Sequence, residues 1–119
     1  MKKAIIITIV LLSGFVASAQ NDYYAKKAMD YVKEAQQYLK KAENYDREAT
    51  YYQNKATEYL REAEYYTRNK NYDKAADNAK WANDATDRAM TQSKWANDAR
   101  NRARDQLRWA KDAMDKAKR

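Results

Sequence analysis

The residues best suited to binding chemistry are three tryptophans and a series of cations that alternates with them. Trp81, Trp95 and Trp109 are fourteen residues apart, and a basic residue follows seven positions after each one. These basic residues are Arg88, Arg102 and Lys116, and an earlier lysine series, Lys27, Lys41 and Lys55, has the same fourteen-residue spacing. Aromatic faces combined with cations can bind an anionic polymer, an acidic partner or another copy of the chain.

Catalysis, by contrast, lacks its usual residues. The chain contains no His and no Cys, so it offers no imidazole base, thiol nucleophile or soft metal site. Four aspartates share one helical position, and we interpret them as a solvated acidic stripe rather than a cation site: Asp84, Asp98, Asp105 and Asp112. We therefore predict no enzymatic activity, no cofactor and no metal.

The first nineteen residues have the pattern of a signal peptide. Lys2 and Lys3 precede an apolar run at 4–16, and the small residues Ala17 and Ala19 flank Ser18. Thirteen apolar residues are too few to span a hydrocarbon core of ~30 Å. We expect cleavage before Gln20, a periplasmic or secreted bacterial protein, and no transmembrane segment after cleavage.

Residues 20–119 contain no Gly or Pro, which favours uninterrupted helix. The whole chain has 24 Lys and Arg against 17 Asp and Glu. This excess of positive charge would suit a nucleic-acid backbone, but export separates the chain from cytoplasmic nucleic acid. A nucleic-acid partner is therefore disfavoured.

Strict heptads divide the remaining chain into two halves. In the first half, position a is alanine and position d is tyrosine: Ala28, Ala35, Ala42, Ala49, Ala56 and Ala63, with Tyr31, Tyr38, Tyr45, Tyr52, Tyr59 and Tyr66. In the second half, position a is again alanine: Ala75, Ala82, Ala89, Ala96, Ala103, Ala110 and Ala117. A sustained seven-residue period predicts a left-handed coiled coil.

The heptad register breaks between the halves, where a polar turn is expected at 69–71. Asn71 is a good N-cap for a following helix. The sequence therefore predicts an all-α fold, a long two-helix antiparallel coiled-coil hairpin with helices at about 22–68 and 72–117. In this pairing each large d residue faces a small a residue, as Tyr66 faces Ala75 and Tyr31 faces Ala110.

The same pairing places the g positions of the two helices side by side. Trp81, Trp95 and Trp109 would then flank Glu62, Glu48 and Glu34. Arg88, Arg102 and Lys116 would flank Lys55, Lys41 and Lys27. Apolar residues at the neighbouring e positions, Val32, Leu39, Leu60, Leu107 and Met114, could receive another helix.

The segment from Glu62 to Ala79 reads EAEYYTRNKNYDKAADNA. It resembles the turn of tetratricopeptide-type and alanine-rich helical hairpins of bacterial envelope proteins. The alanine heptads resemble the alanine zipper of the major outer-membrane lipoprotein family. This chain lacks that family's lipidated Cys, and Lys118-Arg119 reverses the family's usual Arg-Lys ending, so covalent attachment to peptidoglycan is not expected. The resemblance implies a helical hairpin in the envelope and no particular activity.

Three interpretations of the Trp and cation edge stay open: a shield over the thin alanine seam, a seam between copies, or a surface for an anionic ligand. The sequence accordingly predicts an exported, non-enzymatic structural or interaction protein, a rigid spacer or scaffold that self-associates or binds another envelope protein. The alternative is a binding module for an anionic envelope polymer or an acidic partner.

Overall fold

The structure is a computed structural model that describes residues 22–118. Two helices, α1 (Asp22–Arg68) and α2 (Tyr72–Ala117), pack antiparallel. No strand occurs between residues 22 and 118. The all-α hairpin predicted from the heptads is confirmed, and both helices have the predicted bounds. The predicted signal peptide and its cleavage site lie outside the described residues.

Charged residues at the helix ends complement the helix dipoles. Asp22 and Asp73 lie in the first turns of α1 and α2, where a negative charge faces unpaired backbone N–H groups. Arg68 and Lys116 lie in the last turns, where a positive charge faces unpaired carbonyls. Together with the absence of Gly and Pro, these ends account for two long uninterrupted helices.

The turn between the helices is a Schellman motif. The Asn71 amide donates to the Tyr66 carbonyl at 2.8 Å, and the Lys70 amide donates to the Thr67 carbonyl at 3.1 Å. Lys70 has a φ of 59°, a left-handed conformation that glycine adopts most easily. Asn71 then caps α2, because its Oδ1 accepts the Lys74 amide at 3.4 Å. The predicted N-cap is confirmed.

The alanines of the heptads form the seam between the helices. Most a-position alanines are buried, as are three d-position alanines of α2, while Ala63 beside the turn is half-buried. The buried alanines at these positions are Ala28, Ala35, Ala42, Ala49, Ala56, Ala75, Ala82, Ala85, Ala89, Ala96, Ala99, Ala103, Ala110, Ala113 and Ala117. The d-position tyrosines are half-buried throughout. Small residues thus fill the middle of the seam, and tyrosine rings extend toward its edge.

The chain divides into two units. The terminal unit comprises residues 22–41 and 98–118, and it has two hydrophobic clusters. One cluster joins Val32, Ala35, Ala103, Leu107 and Ala110, and half-buried Tyr31, Tyr38 and Leu39 pack against it. The other cluster joins Ala28, Ala113 and Met114. These clusters contain several facing pairs that the antiparallel register predicts, such as Tyr31 with Ala110 and Ala28 with Ala113.

The turn unit comprises Ala42–Asn97, and its buried hydrophobic residues are all alanine. The predicted e-position stripe therefore differs between the units. Val32, Leu107 and Met114 of the terminal unit are 2–8% exposed, so they are not open to a further helix. In the turn unit Leu60 is 52% exposed.

Three polar side chains occupy d positions of α2: Asn78, the half-buried Gln92 and Gln106. In the turn unit, Asn78 is buried and its Nδ2 donates to the Lys74 carbonyl at 2.9 Å. In the terminal unit, the Gln106 Oε1 is buried and accepts no hydrogen bond from residues 22–118. Buried polar side chains lower the stability of the hairpin. They also disfavour a shifted register of the two helices, because a shift would bury them against different neighbours.

Candidate functional site

The g positions of α2 meet the d-position tyrosines of α1 along one edge of each unit. In the turn unit the contacts alternate between cation and tryptophan: Lys74 with Tyr66, Trp81 with Tyr59, Arg88 with Tyr52, and Trp95 with Tyr45. In the terminal unit they are Arg102 with Tyr38, Trp109 with Tyr31, and Lys116 with Tyr24. We call this series of pairs the ladder.

Each tryptophan of the ladder packs on its tyrosine at an angle. The ring centroids are 5.6–5.9 Å apart and the planes are inclined by 58–61°. This geometry suits the aromatic quadrupole, which favours tilted or edge-on contacts. Trp81, Trp95 and Trp109 nevertheless stay 48%, 46% and 46% exposed. About half of each tryptophan is therefore covered, and the other half stays open to solvent.

The cations of α2 lie over the remaining tyrosines. The guanidinium of Arg88 is 5.7 Å from the Tyr52 ring centroid, and the ammonium of Lys116 is 5.7 Å from that of Tyr24. At such distances the ring quadrupole attracts the charge without neutralising it. The tyrosines thus position the cations while leaving them available to an anion.

The lysines of α1 occupy the same edge and also lie over tyrosines. Lys55 is 5.8 Å from the Tyr51 ring, and Lys27 is 5.4 Å from the Tyr23 ring. Each of these tyrosines contacts the adjacent ladder tyrosine edge-on, at 5.3 Å for Tyr51 and Tyr52 and 5.0 Å for Tyr23 and Tyr24. Lys41 instead shares Tyr38 with Arg102, at 5.4 Å and 5.9 Å.

Two clefts open along this edge, one in each unit. The turn cleft has a volume of about 280 Å³ and is lined by Tyr51, Tyr52, Lys55, Tyr59, Trp81, Asp84, Ala85 and Arg88. The terminal cleft has a volume of about 190 Å³ and is lined by Tyr24, Lys27, Tyr31, Trp109, Asp112, Ala113 and Lys116. Every residue of the terminal cleft is twenty-eight positions from its counterpart in the turn cleft. The two clefts are therefore equivalent sites built from the same repeat.

Each cleft combines two cations with one carboxylate. Lys55 of the turn cleft also pairs with Glu58 of its own helix at 3.5 Å. In the terminal cleft, a hydrogen bond to Tyr23 raises the pKa of Lys27 above its ordinary value of 10.5. Lys27 is positively charged at neutral pH, as a lysine with an ordinary pKa also is.

All nine residues predicted for this edge lie over or against tyrosine rings: Trp81, Arg88, Trp95, Arg102, Trp109, Lys116, Lys27, Lys41 and Lys55. Sequence reasoning paired them with one another and with glutamates, and it missed their tyrosine partners. The sequence does contain a signal for these pairs. The tyrosines of α1 and the ladder residues of α2 both recur every seven residues, so one antiparallel pair predicts all the others.

The opposite edge of the turn unit holds a different groove. It has a volume of about 610 Å³ and includes Leu60, Met90, Thr57, Ser93 and Lys94 in its lining. Leu60 and Met90 are 52% and 65% exposed. This groove is more apolar than the clefts, and it has no aromatic wall.

Within residues 22–118 no cluster of acidic side chains is arranged to hold a metal ion. Neither α1 nor α2 contains a stretch that is long and apolar enough to cross a membrane. No protein-family model, curated protein or solved structure matches this chain. The fold and the edge thus define an all-α hairpin with an aromatic and basic ladder.

Proposed function

We propose that the chain is an exported, non-enzymatic structural and interaction protein of the bacterial cell envelope, which acts as a rigid coiled-coil spacer or scaffold. The observation that carries this proposal is the alanine seam, which is buried in both units. Small side chains at every contact layer let two helices approach closely and leave little room for an internal active site. The sequence also lacks His and Cys.

Export is tested by expressing the full coding sequence in a bacterial host and measuring the intact mass of the protein in the periplasmic fraction. We expect a mature chain that begins at Gln20. The matched control replaces the two small residues of the cleavage motif, Ala17→Arg and Ala19→Arg, which block signal peptidase. Recovery of the unsubstituted protein in the cytoplasm with residues 1–19 retained would contradict export.

Scaffolding is tested by light scattering of the purified protein over a hundredfold range of concentration. The half-exposed tryptophans are the natural contacts between copies, because exposed aromatic surface gains most from burial. We expect a dimer or larger assembly that Trp81→Gln, Trp95→Gln and Trp109→Gln together disrupt. A monomer at all concentrations would contradict self-association of the scaffold.

The second candidate function is a binding module for an anionic envelope polymer or acidic partner. The two equivalent clefts favour it, because each holds two cations beside exposed aromatic rings. The same triple tryptophan substitution distinguishes the candidates. Loss of ligand binding with an unchanged oligomeric state supports the binding module, whereas loss of assembly supports the scaffold.

A further inference from the structure

We infer that the turn cleft and the terminal cleft are equivalent binding sites for an acidic polysaccharide, and that each takes one sugar ring bearing a carboxylate. This inference rests on the binding-module candidate and names its ligand and its sites. It concerns the clefts themselves, so it can be tested apart from export and apart from self-association.

Two cations line each of the two clefts. Lys55 and Arg88 both line the turn cleft, and Lys27 and Lys116 both line the terminal cleft. Two like charges near each other repel, and a shield over a seam would be served better by apolar side chains. Each cleft holds one carboxylate, Asp84 or Asp112, beside its two cations, so an anionic ligand would supply a second negative charge to match the second cation. The same arrangement occurs in both units, as the twenty-eight-residue spacing of the two sets of residues requires.

Tyrosine rings position the cations of each cleft. Arg88 lies over Tyr52, Lys55 lies over Tyr51, and the two tyrosine rings contact each other edge-on. The terminal cleft repeats this arrangement with Tyr23 and Tyr24. Stacking restricts long flexible side chains before any ligand arrives, so less conformational entropy is lost on binding.

The wall of each cleft is aromatic, which favours a sugar as the ligand. Trp81 and Tyr59 meet at 58° and form an apolar corner, and the tryptophan is half-exposed. A pyranose ring offers a flat face of C–H groups that can pack on such a surface, and Asp84 can accept hydrogen bonds from its hydroxyls. An acidic peptide side chain or a phosphate chain has no comparable apolar face.

The size and number of the clefts favour a polymer of single acidic units. Their volumes of about 280 and 190 Å³ are below the ~300–1,000 Å³ typical of drug-sized ligand sites. Each cleft therefore suits one ring. A polymer of repeated acidic units suits equivalent sites, because each cleft can take any unit of the polymer.

The test is a titration of the purified full-length product with polygalacturonate, followed by tryptophan fluorescence. We expect saturable binding that weakens as salt is raised, because ion pairs and released counterions contribute to it. Dextran, a neutral polysaccharide, should bind at least about tenfold more weakly, since it lacks the charge-assisted contacts. Polyglutamate and polyphosphate, which lack a sugar face, should also bind more weakly.

The decisive variant is Lys55→Gln with Arg88→Gln, which we expect to weaken polygalacturonate binding about fivefold to tenfold. Its matched control is Arg61→Gln with Lys80→Gln, which removes one Lys and one Arg from exposed positions of the same unit. The control should change binding less than about twofold. The equivalent pair in the terminal cleft, Lys27→Gln with Lys116→Gln, gives an independent measurement if the first variant loses helix content.

Equal binding of dextran, equal binding of polyglutamate, or equal losses in the decisive variant and its control would each overturn the inference. Absence of any binding to polygalacturonate would overturn it too. If the decisive variant instead lost self-association, the clefts would be contacts between copies. None of these results changes the mass of the exported chain, so a failed inference remains distinguishable from a failed proposal of an envelope scaffold.

Discussion

The terminal unit and the turn unit have the same residue pattern along the edge that carries the ladder. They differ in the hydrophobic residues that they bury and in the opposite edge. Both have the ladder, and both have an equivalent cleft with two cations and a tryptophan. In the terminal unit Val32, Leu107 and Met114 are buried as well. The turn unit buries no hydrophobic residue larger than alanine, and its second edge is an open groove beside Leu60 and Met90.

The two units thus differ in the apolar residues outside the seam and agree in the ladder. Features needed only for stability can vary between units, and the apolar residues outside the seam do vary. The ladder recurs in both units with the same residue types. Stability should therefore respond differently in the two units to changes outside the ladder and alike to changes within it.

The largest expected difference comes from truncating a leucine in each unit. Leu107→Ala removes a buried side chain and should lower the free energy of unfolding by about 2–4 kcal/mol. Leu60→Ala removes an exposed side chain and should cost less than about 1 kcal/mol. Urea unfolding followed by circular dichroism at the helix band measures both. Equal costs would show that the buried cluster contributes little to the terminal unit.

Enlarging a seam alanine should affect the two units alike. Ala82→Leu in the turn unit and Ala110→Leu in the terminal unit each place a larger side chain opposite a tyrosine where exposure is 2% or less. We expect each to cost about 1–3 kcal/mol, because neither seam has space for the added atoms. The same urea measurement applies. A harmless substitution in one unit alone would mean that its helices can move apart.

How far the sequence predicted this architecture depends on which part is considered. The seam and the helix ends were predictable, because alanine every seven residues and the cap at Asn71 act locally. The ladder was predicted only as an edge of nine residues, because heptad positions do not specify ring contacts. Helical side chains lean toward the helix N-terminus, which brings Trp81 onto Tyr59 across the seam.

The burial of Val32 and Met114 was also not predictable from the heptads. Position e is usually at the margin of a two-stranded coiled coil, so these residues were interpreted as a surface for another helix. The structure buries them in the terminal unit and leaves Leu60 exposed in the turn unit. The pattern alone assigns all three to the same position, and only tertiary packing distinguishes them.

Tryptophan truncation should give intermediate and equal effects in the two units. Trp81→Ala and Trp109→Ala each remove a tilted contact with tyrosine. Each also removes the buried part of the side chain, which is about half of its surface. We expect each to cost about 1–2 kcal/mol. Thermal unfolding of both variants tests this, with Met90→Ala as a control for loss of an exposed side chain. A much larger effect in the turn unit would show that tryptophan substitutes there for the missing aliphatic core.

The smallest expected effect is a gain in stability at the turn. Lys70 has a positive φ, and glycine avoids the resulting steric cost of about 1 kcal/mol. Lys70→Gly should therefore raise the free energy of unfolding by up to about that amount, and Lys118→Gly is a control for loss of a lysine elsewhere. Hydrogen exchange should slow most in the turn unit. Faster exchange there would contradict the Schellman assignment.

The fourteen-residue alternation of the ladder has a consequence for how such a chain can change in length. Inserting seven residues at the same level of α1 and α2 keeps the seam in register and keeps every ladder residue over a tyrosine, but it places two tryptophans or two cations in succession and so breaks the alternation. Only fourteen residues in each arm restore both seam and ladder. Related chains of this design should therefore differ in size by discrete increments of twenty-eight residues, as expected for growth by tandem duplication around a fixed turn.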